Sequence, residues 1–470
     1  MDLQVKLDGH RDLAGQIYRQ IRAVILTGRL RPGDPVPATR ELASRLGVAR
    51  STVGAAYDRL VGEGFLHSRV GAGTYVSTAV RSEPPDQPTG GALRPRADWP
   101  AARQWEYFPS VHAKYDFRAG VPDLRLFPFG SWRRMMTGQL RASAMRTAMY
   151  GEAPGVVALR RAISRHVATA RAVDAHPDNV IVTNGTQQAL DLVARVLLSP
   201  GDRVAVEEPG YPPAWDLFRT VGARLVPVPV DADGMVVDAI PADARLVYVT
   251  PSHHFPLGGT MSLPRRMALL AWAGERNAAV VEDDYDSEFR FGGRPLESLQ
   301  GLDRGGRVIY VGTFSKSLLP ALRLGYLVAP RSLYGALAQA KFLTDWHSSL
   351  PSQAALAQFL DEGLFARHVR RMRTEYQSRQ EAILEALAGD DVMTPLPSAA
   401  GMHITVLLPP DAPVDTMPLA RRAWTADVAL HPLSDFYAGA PPRGGLVLGY
   451  GAIERDRITD GLARLRGCVT

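Results

Sequence analysis

Apolar residues recur at helical spacing from Leu13 to Leu26: Leu13, Ile17, Ile21, Val24 and Ile25 share one side, and Gly28 closes the run. After the loop LRPGDPVPA, Thr39 is the expected N-cap of a short helix carrying Leu42 and Leu46 and ended by Gly47. A third helix opens at Arg50-Ser51-Thr52, places Val53, Ala56, Tyr57 and Leu60 on one side, and runs to Gly64. The next stretch, FLHSRVGAGTYV, alternates around a glycine-rich tip at Gly71 to Gly73, the pattern of a short hairpin. Helix, turn, helix and hairpin together predict an α+β winged helix-turn-helix over residues 1–80.

Periodicity then stops. Residues 81–112 hold six prolines (Pro84, Pro85, Pro88, Pro95, Pro100 and Pro109), which predicts an extended, partly stiff linker. From residue 113 onward, short β-rich runs (NVIVT, DRVAVEE, ARLVPVPV, ARLVYVT, AAVVEDD, RVIYVG, LGYLVAP) alternate in part with helical patterns such as QQALDLVARVLL. Buried strands separated by helices predict an α/β unit with a largely parallel sheet. Beyond about residue 350, Arg-rich helical patterns with a few strands predict a smaller carboxy-terminal α+β lobe, so 113–470 reads as one large domain of two lobes.

Charge sharpens this division. Residues 1–80 contain 11 basic and 7 acidic residues, whereas the other 390 contain 43 and 41. The excess therefore sits in the small module and makes nucleic acid a candidate partner for that end alone. The single cysteine, Cys468, excludes an intrachain disulfide framework and any multi-cysteine zinc site, and no metal site is expected. The opening MDLQVKLDGH carries charge where a secretory signal needs an apolar run, and no stretch approaches 18 uninterrupted apolar residues, so a cytoplasmic protein without a membrane partner is expected. Only four of the 54 basic residues are lysine: Lys6, Lys114, Lys316 and Lys341. Chemistry that needs a deprotonatable amine has few places to reside, because arginine stays charged.

A recognition helix must present hydrogen-bonding side chains at its exposed start. Arg50, Ser51 and Thr52 stand there, Arg40 opens the preceding helix, and Arg69 lies in the wing beside Gly71; Arg45 and Arg59 are further phosphate candidates. The run PATRELASRLGVARSTVGAAYDRLVGEGFLHSRVGAGTYV resembles the winged-helix domain of GntR-type bacterial transcription regulators, which implies double-stranded DNA with paired half-sites as partner.

In the large module Lys316 follows the strand RVIYVG within Thr313-Phe314-Ser315-Lys316-Ser317, seven residues before Arg323. A lysine at a strand's carboxyl end, with small hydroxyls and an arginine nearby, suits a Schiff base to an aldehyde whose phosphate must also be held. The strand AVVEDDY offers Asp283 for a protonated pyridine nitrogen, while Asp286 and Glu288 read as a solvated loop of acids. Asn184-Gly185-Thr186-Gln187 opens a helix whose N–H groups suit an anion, and Tyr211 ends another strand with a ring that can stack on a planar cofactor. In this order the elements resemble fold-type I pyridoxal-phosphate enzymes of the aspartate aminotransferase superfamily, and the fusion resembles the MocR subfamily of GntR-type regulators.

That resemblance implies pyridoxal 5'-phosphate as cofactor. Lys316 would form the internal aldimine, Asp283 would pair with the pyridine nitrogen, Tyr285 would approach the phenolic oxygen and Tyr211 would stack on the ring. Gly185, Thr186, Thr313, Ser315 and Arg323 would hold the phosphate. Two departures stand out. Where aminotransferases carry Asn-Pro-x-Gly this chain has Ser252-His253-His254-Phe255-Pro256-Leu257-Gly258, so His253 becomes a candidate for the phenolic oxygen. Where they carry a carboxylate-gripping arginine before a short strand, the strand here reads Gly444-Gly445-Leu446-Val447-Leu448-Gly449-Tyr450 and has none inside it, with Arg443 only an offset candidate. The expected function is a homodimeric transcription regulator whose aminotransferase-like domain senses rather than catalyses. Its effector would be pyridoxal phosphate or an amine or amino acid, with control of pyridoxal-phosphate synthesis preferred over γ-aminobutyrate sensing. The alternative is a working aminotransferase carrying a DNA-binding arm.

Overall fold

The computed structural model describes residues 3–69, 73–79, 94, 96, 99, 113–141, 149–291 and 297–469. The chain forms two compact units, Met1–Arg96 and Ala97–Thr470. Most of the linker expected over 81–112 lies outside the described residues, as does Gly71. Among the described residues no helix is long and apolar enough to cross a membrane.

In the first unit helices span Leu13–Leu26, Thr39–Leu46 and Arg50–Gly62, and an antiparallel hairpin pairs Leu66–Arg69 with Gly73–Val76. The apolar stripe read from the sequence is the core: Ile17, Ile21, Ile25, Val53, Leu60 and Val76 are fully buried. Each such side chain contributes about 1.5–3 kcal/mol. Gly47 ends the second helix in the left-handed conformation, φ +66°. Thr39 differs from expectation: Ala38 holds the cap position without a side-chain bond, and Thr39 is the first helical residue. Its Oγ1 instead accepts from Arg50 Nε at 3.4 Å, tying the starts of the two helices together.

The second unit is built on an eight-stranded sheet. Its order is Val180–Thr183, Gly325–Val328, Val308–Thr313, Ala279–Asp284, Ala244–Val249, Arg203–Glu208, Arg224–Asp231 and Gly234–Met235. Gly325–Val328 runs antiparallel to both neighbours, the strands from Val308–Thr313 to Arg224–Asp231 are mutually parallel, and the short last strand turns back. Helices cover both faces, so the central strands are near-continuous apolar runs. Thr186–Leu197, for example, buries Ala189, Leu190, Leu192 and Val193.

The carboxy-terminal lobe packs helices Leu364–Ala386, Met417–Thr425 and Ile458–Val469 on a four-stranded sheet ordered Thr394–Pro395, His403–Leu407, Gly445–Gly449 and His431–Pro432. Arg379 on the long helix donates to the carbonyls of Tyr450 and Gly451 and pairs with Asp123, which fastens this lobe to the segment that precedes the large sheet.

Candidate functional site

A cavity of about 590 Å³ opens at the carboxyl ends of the parallel strands, lined among others by Thr186, Tyr211, Tyr248, Asp283, Tyr285, Thr313, Ser315, Lys316 and Arg323. That is where open α/β sheets place ligands. Its volume falls in the range of about 300–1,000 Å³ typical of small-molecule sites.

Strand alternation decides which acid faces it. In Ala279–Asp284 successive side chains point to opposite faces, so Glu282 and Asp284 turn one way and Asp283 the other. Asp284 accepts from Arg171 Nε at 2.8 Å and from Tyr310 at 2.5 Å, while Glu282 accepts the N–H groups of Leu299 and Gln300. Both are consumed by packing. Asp283, 4% exposed, accepts from the Tyr248 hydroxyl at 2.7 Å through Oδ2, and its Oδ1 has no hydrogen-bond partner. Burial pushes its carboxyl up to about 7, against the opposing influence of Tyr248.

Lys316 is half-buried and donates to the Gly120 carbonyl at 3.0 Å. Gly120 has φ +76°, and a Cβ there would meet Lys316 Nζ at 2.6 Å, so only glycine leaves the amine its place. Burial lowers the Lys316 pKa while Asp286 and Asp283 raise it, leaving it below the ordinary lysine value. This favours the neutral amine that a nucleophile requires. Lys341, by contrast, is fully buried away from the cavity against Gln188, Asp345 and Ser348.

At the other end Gly185, φ +77°, precedes the helix Thr186–Leu197. Arg323 donates to Asn184 O at 2.8 Å, and its guanidinium lies where a Cβ on residue 185 would be, at 2.8 Å. Thr313 Oγ1 and Ser315 Oγ are 3.1 Å apart. Free helical N–H groups, two hydroxyls and a guanidinium converge, a donor set suited to a phosphate dianion. Tyr211 lies across the cavity, edge-on to Phe255 with centroids 5.9 Å apart.

His253 is placed differently from the expectation. It does not line the cavity; it stands behind Tyr285, 2% exposed, with Nδ1 3.1 Å from the Tyr285 hydroxyl and 3.0 Å from Asp286. Its Nε2 lies 3.2 Å from Ser398 Oγ, which is also 2.9 Å from Ala400 O. The residue that occupies the wall is Phe255, an apolar ring in place of a polar amide. Asp286 is the second correction. Read from sequence as a solvated acid, it is 1% exposed, borders the cavity and is held by His253. Arg443 donates to Leu408 O and does not reach the wall.

Sequence reasoning also passed over Glu207, His254, His403 and His431. Glu207 accepts from Thr250 N and Oγ1, and burial pushes it up to about 8. His254, pushed down to about 3 by burial, donates from Nε2 to Pro209 O and accepts at Nδ1 from Leu257 N. Their 3.8 Å approach is therefore a contact of two neutral groups rather than an ion pair. Glu207 and His254 lie in runs that the sequence reading used for other residues, His403 and His431 lie in none, and only the fold brings Glu207 to His254 and His403 close to the strand of His431.

In the first unit, Arg50 and Ser51 are exposed at the start of the third helix, with Thr52 half-buried beside them. Arg40 is exposed on the first turn of Thr39–Leu46, and Arg69 is exposed at the end of the first wing strand, 5.3 Å from the Tyr75 ring. Arg45 pairs with Glu41, and Arg59 pairs with Glu63 while lying over Tyr18, so these two stabilise the helices.

Residues 13–76 match the gntR family of bacterial regulatory proteins, and residues 120–447 match aminotransferase class I and II. The chain is 39% identical over 463 residues to the probable rhizopine catabolism regulatory protein MocR of Rhizobium meliloti, covering 96% of this chain and 92% of that protein. It is 33% identical over 475 residues to the HTH-type pyridoxine biosynthesis transcriptional regulator PdxR of Corynebacterium glutamicum, covering 100% and 99%. The larger unit resembles LysN, an alpha-aminoadipate aminotransferase of Thermus thermophilus solved with N-(5'-phosphopyridoxyl)-L-leucine. The TM-score is 0.69 at 33% identity, over 75% of this chain and 91% of that one. With both modules matched and regulators aligned along nearly the whole length, the chain belongs to the MocR subfamily of GntR-type transcription regulators, a winged helix-turn-helix joined to an aminotransferase-like domain.

Proposed function

We propose that this regulator binds pyridoxal 5'-phosphate at Lys316 and uses it as effector or effector-sensing cofactor. The observation that carries the reading is the unpaired Oδ1 of buried Asp283, in a cavity that also presents the Lys316 amine and the donors around Gly185 and Arg323. An orphaned buried carboxylate oxygen is costly, and a pyridinium N–H satisfies it. When bound, the cofactor supplies an aldehyde and an electron-withdrawing ring.

The chain's own residues do the rest. Lys316 provides the amine, and Asp283, steadied by Tyr248, holds a proton at the ring nitrogen. The helix start at Gly185-Thr186, with Thr313, Ser315 and Arg323, binds the phosphate; Tyr211 and Phe255 exclude water from the ring. The Tyr285 hydroxyl faces the phenolic oxygen, its orientation governed by His253. The winged helix reads DNA through Arg50, Ser51 and Thr52, with Arg40 and Arg69 on phosphates, and the protein acts as a homodimer on paired half-sites. Occupancy of the cavity shifts DNA affinity by no more than the ligand's differential affinity for the two states.

Purified protein incubated with pyridoxal phosphate is expected to develop a visible absorption band that Lys316→Ala abolishes, and operator affinity is expected to change with the cofactor. A wild type that stays colourless would overturn the reading.

A further inference from the structure

The cavity extends past Lys316 toward the carboxy-terminal lobe, where its wall is Phe255, Asp286, Met402, His403, His431 and Phe436. Among the described lining residues the cations are Lys316 and Arg323. Arg323 is engaged at the opposite end by Asn184 O, beside Gly185. The strand Gly445–Gly449, which pairs with both His403–Leu407 and His431–Pro432, carries only buried aliphatic side chains between its glycines. Two arginines of this lobe and its approach are diverted: Arg118 is clasped bidentately by Asp116, and Arg443 by Leu408 O.

The histidines add no charge. His403 donates from Nε2 to Pro256 O at 2.9 Å, and burial holds its pKa well below the ordinary value. Burial likewise pushes His431 down to about 4. Asp286, whose carboxylate His253 Nδ1 approaches at 3.0 Å from behind the wall, is thus the acid that borders this end of the cavity, and the remaining wall is aromatic and thioether. A carboxylate placed here would face an acid with no arginine in the described wall, a like-charge juxtaposition that disfavours binding. An ammonium or hydroxyl would find an acceptor, and an aliphatic chain would bury against Phe255, Phe436 and Met402.

We infer that the ligand sensed at this end of the cavity is an aliphatic amine that carries no carboxylate, its cationic or hydroxylated end directed to Asp286. The inference rests on the cofactor reading above and narrows the effector away from amino acids.

The test compares three four-carbon probes that differ only at one end: 1,4-diaminobutane, 1-aminobutane and 4-aminobutanoate. Full-length protein incubated with pyridoxal phosphate is titrated with each, following the visible band and Tm. The expected order is 1,4-diaminobutane tightest, with 4-aminobutanoate weaker by at least about tenfold, as like-charge contact requires. Asp286→Asn is expected to remove the advantage of 1,4-diaminobutane over 1-aminobutane, and binding of 1-aminobutane reports that the variant remains folded. Equal or tighter binding of 4-aminobutanoate to the wild type would overturn the inference while leaving the cofactor in place. Absence of any band would instead overturn the cofactor reading, and the Tm series would still rank the three probes.

Discussion

Tyr248→Phe isolates the one hydrogen bond that holds Asp283. The hydroxyl donates to Oδ2 at 2.7 Å, Oδ1 is unpaired, and the residue is 4% exposed, so the variant leaves both carboxylate oxygens without a partner. A hydrogen bond to a charged group contributes about 1.5–3 kcal/mol and one to a neutral group about 0.5–1.5 kcal/mol; the difference, about 1–1.5 kcal/mol, corresponds to roughly one pKa unit. In the cofactor-free protein Asp283 already titrates near 7, against an ordinary value of 3.8. An acid raised in the folded state keeps its proton longer than in the unfolded chain, so its contribution to stability declines as pH rises from about 4 to about 7. Losing the hydroxyl extends that decline to about pH 8. The destabilisation is therefore expected to be small at pH 5, where Asp283 is protonated in both proteins and only a neutral bond of about 0.5–1.5 kcal/mol is lost. It should exceed that value at pH 9 by about 1–1.5 kcal/mol. Urea denaturation of both proteins at the two pH values measures the difference. The same variant should hold pyridoxal phosphate about tenfold more weakly or worse at neutral pH, since each 1.4 kcal/mol is tenfold. A stability loss identical at pH 5 and pH 9, with cofactor affinity unchanged, would refute the assignment of Tyr248 as the group that steadies an ionised Asp283.

Glu207, raised to about 8 by burial, follows the same sign: wild-type stability falls as pH climbs from about 4.5 through 8. Glu207→Gln keeps an acceptor for Thr250 and should flatten that slope in urea midpoints; an unaltered slope would mean the carboxyl is not buried neutral. Arg50→Ala should weaken specific DNA binding by about 1–3 kcal/mol if the side chain meets a base edge, and an equal loss on random duplex would assign it to phosphate instead. The exposed apolar residues Met149, Tyr150, Phe342, Leu343 and Trp346, with Tyr150 and Phe342 both against Trp346, form a surface that the proposed homodimer is expected to cover. Leu343→Asp, at a side chain 73% exposed in one chain, should shift sedimentation toward monomer, whereas a wild type that sediments as a monomer would dispose of the dimer.

Local sequence determined what depends on local physics. Amphipathic stripes placed the helices of the small unit, because a helix with Ile17, Ile21 and Ile25 on one face has to bury that face. Apolar runs ending in Asp283, Thr313 and Glu208 marked strands whose carboxyl ends carry chemistry, and the scarcity of lysine singled out Lys316. Cap chemistry was less legible: Thr39 carries a cap residue's side chain, yet its hydroxyl is drawn to Arg50 across the turn.

Tertiary structure decided everything that depends on what lies opposite. The run Asp283-Asp284-Tyr285-Asp286 looks like a polar strand end, but pleating sends Asp284 to Arg171 and Asp283 to the cavity, and Asp286 is sealed in by His253 from a loop 33 residues away. His253, which the sequence offered to the cofactor, lies behind Tyr285 because Phe255 takes the wall. His403 and His431, far apart in sequence from Phe255 and from each other, reach one ligand end only because their strands flank Gly445–Gly449. A one-dimensional pattern records which faces are buried; partners across a sheet follow from register and strand order, and those set the charge that a ligand meets.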